Sequence, residues 1–424
     1  MPRRKKTRQI EFKPFSRRQR MVLNWWTDTS PVKDYEGIIA DGAIRSGKTL
    51  SMALGYVIWA MASFDGEYFG MCGKTIASFE RNVLKDLTPA LQGQGYTVTR
   101  HRADNTITIE NGETSNTFFI FGGKDEASQD LVQGITLAGC FFDEVALMPE
   151  SFVNQATSRC SVEGSKLWFN CNPESPRHWF KQGWIDGRHP KRLLYVHFSM
   201  DDNPSLSEEK KAAYRARYTG VFYRRYVLGL WAMAEGLVYN MFDPARHTFD
   251  PTGWEWSPFC WYYVAIDYGA MNPFAALLIE YNPRTRVSRV IREVYYSGRE
   301  TQIGVDNEAY YQMLLQLVQD VPIEQIIVDP SAASFINTIR KHAKFSVAGA
   351  NNDVLNGIVE TTKYINLGLL QVSTECRRLI EEFGMYRWDT KSPEDRVIKE
   401  HDHALDALRY YVWTILAMIN KGDV

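Results

Sequence analysis

Residues 37–62 read GIIADGAIRSGKTLSMALGYVIWAMA. The apolar run Gly37-Ile-Ile-Ala-Asp41 predicts a short strand, and Thr49–Ala62 predicts a buried helix. Between them, Gly42-Ala-Ile-Arg-Ser-Gly47-Lys48-Thr49 fits G-x-x-x-x-G-K-[ST] without a gap. A strand before and a helix after are the context in which this pattern cradles phosphate. Gly42 and Gly47 let the backbone wrap closely around phosphate oxygens, so that successive N–H groups point inward at the helix N-terminus. Lys48 is expected to reach the β- and γ-phosphates of ATP and Thr49 to ligate Mg2+, with Arg45 and Ser46 lining the same loop.

A loop of this kind also needs a second acidic element, expected on a neighbouring strand. Gly139-Cys-Phe-Phe-Asp143-Glu144 supplies it about 95 residues further on. Its two carboxylates stand at the C-terminal end of the apolar run, where ligands bind in open α/β sheets. Asp143 is expected to hold the metal through its water shell and Glu144 to polarise the attacking water. Taken alone, an Asp-Glu pair after an apolar run is more often a helix cap. Its place downstream of the glycine-rich loop favours catalysis. Trp168-Phe-Asn170-Cys-Asn172-Pro173 reads as a further strand whose asparagines could sense the γ-phosphate, although Asn-Pro also favours a plain turn. Upstream, Phe15-Ser-Arg-Arg-Gln19 could set Gln19 against an adenine edge or leave it on the surface. An arginine is needed to stabilise charge on the transferred phosphate. Arg45 is the candidate in cis and Arg81 or Arg102 the candidates from a neighbouring subunit; the sequence leaves the choice open.

The chain has 424 residues, enough for two domains, and its 45% apolar and 13% aromatic content provides a core for each. A net charge of −1 excludes a uniformly basic nucleic-acid coat, so DNA contact must come from local patches. Arg224, Arg225, Arg292, Arg340, Lys341 and Lys344 are candidates for it. Six cysteines, none in a CxxC pair, read as reduced thiols. No apolar run approaches the ~18 residues of a membrane span, so no membrane partner is expected. Nine of the first twenty residues are Lys or Arg (Arg3, Arg4, Lys5, Lys6, Arg8, Lys13, Arg17, Arg18, Arg20) with no apolar stretch behind them. That is a basic arm, solvated or phosphate-contacting, and not a signal peptide. The expected organisation is an arm at 1–34, an α/β ATPase domain with a largely parallel sheet at 35–202, a connecting subdomain at 203–248 and a second α/β domain at 249–424.

In that second domain three aspartates fall at the ends of predicted elements. WYYVAIDYG, FAALLIEY and VSRVIREVYYS predict an antiparallel meander, with Asp267 ending its first strand. Asp329 ends the next strand, IIVDPS, and Asp406 sits on a helix from about His403 to Met418. His403 precedes Asp406 by three residues and shares its face, and Asp402 is one turn earlier. A meander, a crossover strand and a helix, each bringing one carboxylate, form the pattern of RNase H-like nucleases. Mg2+ or Mn2+ takes such oxygen ligands, and two ions about 4 Å apart can clamp the attacking and leaving oxygens of a phosphodiester. Singly, Asp329 could be a cap and Asp406 a solvated residue; the joint placement favours a site. His401 and His403 flank Asp402, but no zinc-type spacing accompanies them.

The ordered set GAIRSGKT, FFDEVA, NCNPESPRHWF, DDNPSLSEE, YVLGLWAMAEGLVYNMFD, AIDYGAMNPFAALL, IIVDPSAASF and DHALDALRYY resembles the large terminase subunit of tailed bacteriophages across most of residues 35–415. The resemblance implies a P-loop ATPase domain of the ASCE type followed by an RNase H-like nuclease domain. It implies ATP-driven translocation of double-stranded DNA into a procapsid and metal-dependent cutting of the concatemer. Lys48, Thr49, Asp143 and Glu144 match the family's ATPase motifs, Asn170 or Asn172 its coupling position, and Asp267, Asp329 and Asp406 its nuclease triad. Implied partners are the portal, a small terminase subunit and further copies of the chain in a ring, commonly of five. The implied location is the host bacterial cytoplasm and, transiently, the portal, with none in the mature virion. One departure is Ser46, where the family often has a second glycine beside the arginine. Competing readings are a helicase- or recombinase-like ATPase whose second half binds DNA without cutting it, and a docking protein with a relict loop.

Overall fold

The structure is a computed structural model and describes residues 13–269, 273–297, 305–392 and 394–419. Arg3, Arg4, Lys5, Lys6 and Arg8 of the expected basic arm lie outside the described residues. The chain divides into two compact units: one runs up to Ala213 and includes Tyr223–Met233, and the other comprises Tyr214–Phe222 and the chain from Ala234 onward. The stretch 203–248, expected as a connecting subdomain, is therefore shared between them. None of the described helices is long and apolar enough to cross a membrane.

In the first unit the described strands are β1 (Gly37–Gly42), β2 (Tyr68–Gly73), β3 (Thr97–His101), β4 (Thr106–Asn111), β5 (Thr114–Gly122), β6 (Gly139–Phe142), β7 (Lys166–Asn170) and β8 (Leu193–Phe198). They form one sheet in the order β3-β4-β5-β2-β6-β7-β1-β8. Pairing is parallel from β5 to β8 and antiparallel at the β3–β4–β5 edge. The central strands β1 and β6 are buried at every residue, as strands covered on both faces must be. One expectation is corrected. The strand carrying Asp143 and Glu144 is not the neighbour of β1, because β7 lies between β1 and β6. The end of β7, with its asparagines, thus enters the space between the glycine-rich loop and the two carboxylates.

Two helices frame the loop. Helix α1 (Arg17–Asn24) starts at a capping box in which Ser16 accepts from the Gln19 backbone and Gln19 Oε1 accepts from Ser16 N. Helix α2 (Lys48–Ser63) follows the loop directly and is buried on most of its surface. It packs on the sheet through aromatic side chains. Trp168 of β7 lies 5.2 Å from Trp25, 5.9 Å from Tyr56 and 6.1 Å from Trp59, ring centre to ring centre.

In the second unit the described strands are β9 (Thr248–Phe249), β10 (Trp261–Asp267), β11 (Phe274–Tyr281), β12 (Ser288–Tyr296), β13 (Gln325–Val328), β14 (Val347–Gly349) and β15 (Leu370–Ser373). Their order is β14-β13-β10-β11-β12-β15-β9. The expected meander is present: β10–β11 and β11–β12 are antiparallel, whereas β13 pairs parallel to β10. The β12-β11-β10-β13-β14 run is the RNase H-like arrangement. Ile266 pairs with Val328, so the next residues, Asp267 and Asp329, emerge side by side at the ends of parallel strands. A helix from His403 to Tyr411 packs on β10 and β11 and is buried from Ala404 to Tyr411. It continues through a wider turn over Val412–Leu416.

Trp168 is fully buried at the junction of α1, α2 and the sheet. We expect Trp168→Ala to cost about 3–5 kcal/mol in the first unit. Urea unfolding followed by circular dichroism should show a lower midpoint; an unchanged midpoint would show that this aromatic junction does not hold the unit together.

Candidate functional site

The loop between β1 and α2 turns on glycines whose backbone no other residue adopts easily. Gly42 has φ 130°, and a Cβ there would lie 1.9 Å from Phe198 O. Gly47 has φ 82°, and a Cβ there would lie 2.5 Å from Gln19 Nε2. Gln19 is thus a buried residue beside the loop, its oxygen committed to the α1 cap. Ser46 is 1% exposed, and its hydroxyl is a buried polar atom without a hydrogen-bond partner.

The Lys48 side chain, 6% exposed, curls back over the loop. Its Nζ donates to Gly42 O at 3.2 Å, Ala43 O at 3.0 Å and Asn172 Oδ1 at 2.6 Å. Burial lowers its pKa, against the opposing charges of Asp41, Asp143 and Glu144. Asn170 Nδ2 donates to Asp143 Oδ1 at 2.9 Å, and Asn170 Oδ1 accepts from Glu144 N at 3.1 Å. One amide therefore fixes both members of the Asp-Glu pair. Glu144 itself sits at φ 56°, ψ 48°, a conformation that costs a non-glycine residue about 1–3 kcal/mol and is typical of functional sites. Burial, with the charge of Glu144 added, pushes the Asp143 carboxyl up to about 7, although Asn170, Lys48 and Thr49 favour its charged form.

The loop is braced from outside by residues whose role the sequence did not reveal. Asp41, fully buried, accepts from Tyr195 Oη at 2.9 Å, His197 Nδ1 at 2.9 Å and Trp231 Nε1 at 2.7 Å. Ile44 N donates to Tyr226 O at 2.9 Å, and Asn203 Nδ2 to Arg45 O at 2.7 Å. Asp41 directly precedes the motif and reads as the last residue of the predicted strand; its three donors come from distant parts of the chain. The arginine candidates Arg45, Arg81 and Arg102 all have exposed side chains.

The second unit brings its three aspartates into one cluster. His403 Nδ1 donates to Asp267 Oδ2 at 2.8 Å. Tyr410 Oη lies 2.7 Å from Asp329 Oδ2 and 3.3 Å from Asp267 Oδ1. Asp406 is held by Arg409 at 3.0 Å and Lys399 at 3.2 Å. Lys399 also reaches Asp402 at 3.5 Å. Burial raises the Asp267 pKa, and the charges of Asp406 and Asp329 add to this against the pull of His403. Among the described residues no three carboxylate, imidazole or thiolate groups stand close enough together to form a metal cage as they are. The donor chemistry still fits a hard divalent cation, with three carboxylates near one another and imidazole alongside.

Sequence reasoning missed Tyr410 and Glu382. Tyr410 follows Asp406 by four residues and His403 by seven, so helical spacing carried a signal. Glu382 carried none. It lies in another helix, 3% exposed, and its Oε2 accepts from Ala404 N at 2.8 Å and Leu405 N at 3.0 Å. It thereby satisfies the first turn of the helix that bears His403 and Asp406, and burial pushes its carboxyl up to about 7. One basic candidate is corrected: Arg225 is 1% exposed and bound to Glu174 at 3.2 Å and to Ala232 O, so it is structural. Arg292 lies over the Trp254 ring and donates to Leu317 O. Arg224, Arg340, Lys341 and Lys344 are exposed.

Comparison with known proteins adds three findings. A family model described as the N-terminal part of the terminase large subunit, T4likevirus-type, matches residues 39–246. The terminase large subunit of Escherichia phage T5 is 24% identical over 327 residues, which is 74% of this chain and 72% of that protein. The solved structure of the large terminase from a thermophilic bacteriophage is 49% identical, with a TM-score of 0.90 over 95% of this chain and 100% of that one. Structures of the same phage's enzyme in complex with ADP and with ATP-gamma-S are each 47% identical with the same coverage, at TM-scores of 0.87 and 0.86.

The elevated Asp143 pKa has a measurable consequence. Asp143 loses its proton near 3.8 when solvated and near about 7 in the fold. Between those values the folded protein keeps a proton that the unfolded chain has lost, so stability falls as pH rises and levels off above about 7. Asp143→Asn removes that loss. Without nucleotide, the urea midpoint of D143N should exceed that of the wild type by a gap that widens from about pH 5 to about pH 7. A gap of constant size across that range would contradict the assignment.

Proposed function

The chain belongs to the large terminase family, and on that premise we propose that it uses ATP hydrolysis to drive double-stranded viral DNA into a procapsid and cuts that DNA at a separate metal-dependent site. The observation that carries the motor half is the contact of Lys48 with Asn172 beside an Asp143–Glu144 pair held by Asn170. The thermophilic phage relative is described in complex with ADP and with ATP-gamma-S, which supports nucleotide as the ligand. Phosphate fits the loop: Gly42 and Gly47 take the positive φ (130° and 82°) that wraps the backbone into a turn at the start of α2, and the Ser46 hydroxyl is buried without a partner.

In this reading Lys48 exchanges its carbonyl and Asn172 contacts for phosphate oxygens, which supply the charge its burial lacks. Thr49 and Asp143 would hold Mg2+, which would neutralise charge on the phosphates. Glu144, whose backbone sits in the left-handed region at φ 56°, accepts a proton from the water that attacks the γ-phosphate. Asn170 and Asn172, tied to the carboxylates and to Lys48 respectively, register the loss of that phosphate. An exposed arginine, Arg45 in cis or Arg81 or Arg102 from a neighbouring copy, completes the site.

In the second unit Asp267, Asp329 and Asp406 would hold one or two Mg2+ or Mn2+ ions, which activate water and stabilise the leaving oxygen when bound. His403 orients Asp267, and Glu382 fixes the start of the helix that carries Asp406. The portal, a small terminase subunit and further copies of this chain in a ring are the partners this function requires, in the host cytoplasm.

Two substitutions separate the two activities. Glu144→Ala should lower DNA-stimulated ATP hydrolysis at least a hundredfold while leaving nucleotide binding and Mn2+-dependent plasmid cleavage intact. Asp267→Ala should abolish cleavage and spare hydrolysis. Wild-type protein that hydrolyses ATP but never cuts DNA would favour a non-cutting DNA-dependent ATPase instead.

A further inference from the structure

Tyr410 is the member of the acidic cluster that cation binding does not call for. Its ring is 2% exposed, and its hydroxyl stands between two carboxylates, 2.7 Å from Asp329 Oδ2 and 3.3 Å from Asp267 Oδ1. The strand register forces those carboxylates together, since Ile266 pairs with Val328 and the aspartates follow immediately. Two neighbouring carboxylates relieve their repulsion through a hydrogen-bond donor or through a cation. Here donors fill that role throughout the cluster: the single phenol proton of Tyr410 for Asp329 at 2.7 Å, with Asp267 3.3 Å away, His403 for Asp267, and Arg409 with Lys399 for Asp406.

A divalent ion takes carboxylate oxygens at about 2.0–2.6 Å. An ion that bridges Asp267 Oδ1 and Asp329 Oδ2 therefore needs the space in which the phenol oxygen lies. The phenol has to give up at least one of its two contacts for the ion to enter. We propose that Tyr410 is a latch on the acidic cluster: its hydroxyl donates its one proton to Asp329 and fills the gap beside Asp267 in the ion-free protein, and a divalent cation binds by displacing it. This rests on the reading that the cluster holds a cation. The latch sets how much Mg2+ or Mn2+ is needed to arm the site, and it explains why the carboxylates stand apart around a phenol instead of forming a ready cage.

The test measures ion binding, not cutting. Mn2+ is titrated into the full chain by calorimetry, for wild type, Tyr410→Phe and Asp267→Asn, with melting midpoints recorded with and without MnCl2. Phenylalanine keeps the ring and removes the competing hydrogen bond. Y410F should bind Mn2+ about tenfold tighter or more, as loss of a bond to a charged group implies, and should gain more melting temperature from Mn2+ than wild type does. Affinity equal to or weaker than wild type overturns the latch, because a packing or supporting role cannot tighten binding. If wild type and D267N bind Mn2+ alike, the ion lies elsewhere, and the metal-site reading falls together with the latch. A crystal of wild type soaked in MnCl2 gives an answer independent of any variant. Tyr410 Oη should have left Asp267 or Asp329; an ion on both aspartates with both tyrosine contacts kept overturns the proposal.

Discussion

A buried ammonium group is the constraint around which the first unit is organised. Lys48 has nearly no contact with water, and a charge in that position is tolerable only with partners on every side. Two of these are carbonyls of its own loop and the third is Asn172, just beyond β7. The sheet order makes that third contact possible, because β7 intervenes between the strand that feeds the loop and the strand that carries Asp143 and Glu144. From this position Asn170 holds the acidic pair and Asn172 holds the lysine. Lys48 and the acidic pair are thus both in contact with residues at the end of one strand, β7.

The second unit solves a different problem by a similar route. Adjacent parallel strands put Asp267 and Asp329 side by side, and a buried helix adds Asp406. Buried and crowded carboxylates of this kind are costly until something shares their charge: burial first, and then the charges of Asp406 and Asp329, raise the Asp267 pKa. The helix supplies the partners as well as the third acid. His403, Arg409 and Tyr410 all lie on it, and its first turn is anchored by Glu382 from another helix.

Much of this was legible in the sequence, for physical reasons. The glycine spacing of 42–49 and the position of Asp143–Glu144 are local patterns whose chemistry demands those residue types. The period-two runs around Asp267 announced the meander, and all three aspartates fell on the elements expected of them. Long-range contacts stayed hidden. Nothing near Asp41 indicates that Tyr195, His197 and Trp231 will converge on it, and nothing near Glu382 marks it as a helix cap. The strand ending at Asn170 was legible, but its place between β1 and β6 was not, since strand order is set by crossovers and not by local sequence. Arg225 looked like a phosphate ligand by charge alone, and burial against Glu174 made it a structural residue. Tyr410 was within reach, because its spacing from Asp406 and His403 places all three on one helical face.

On the proposed function, the Lys48 ammonium is held between its loop carbonyls and Asn172 until phosphate replaces them. A crystal structure of the chain with Mg2+ and a non-hydrolysable ATP analogue tests it most directly. We expect Lys48 Nζ to have left Asn172 Oδ1 for a β- or γ-phosphate oxygen, with the metal between Thr49 and Asp143. Nucleotide bound elsewhere, with Lys48 still 2.6 Å from Asn172, would contradict it.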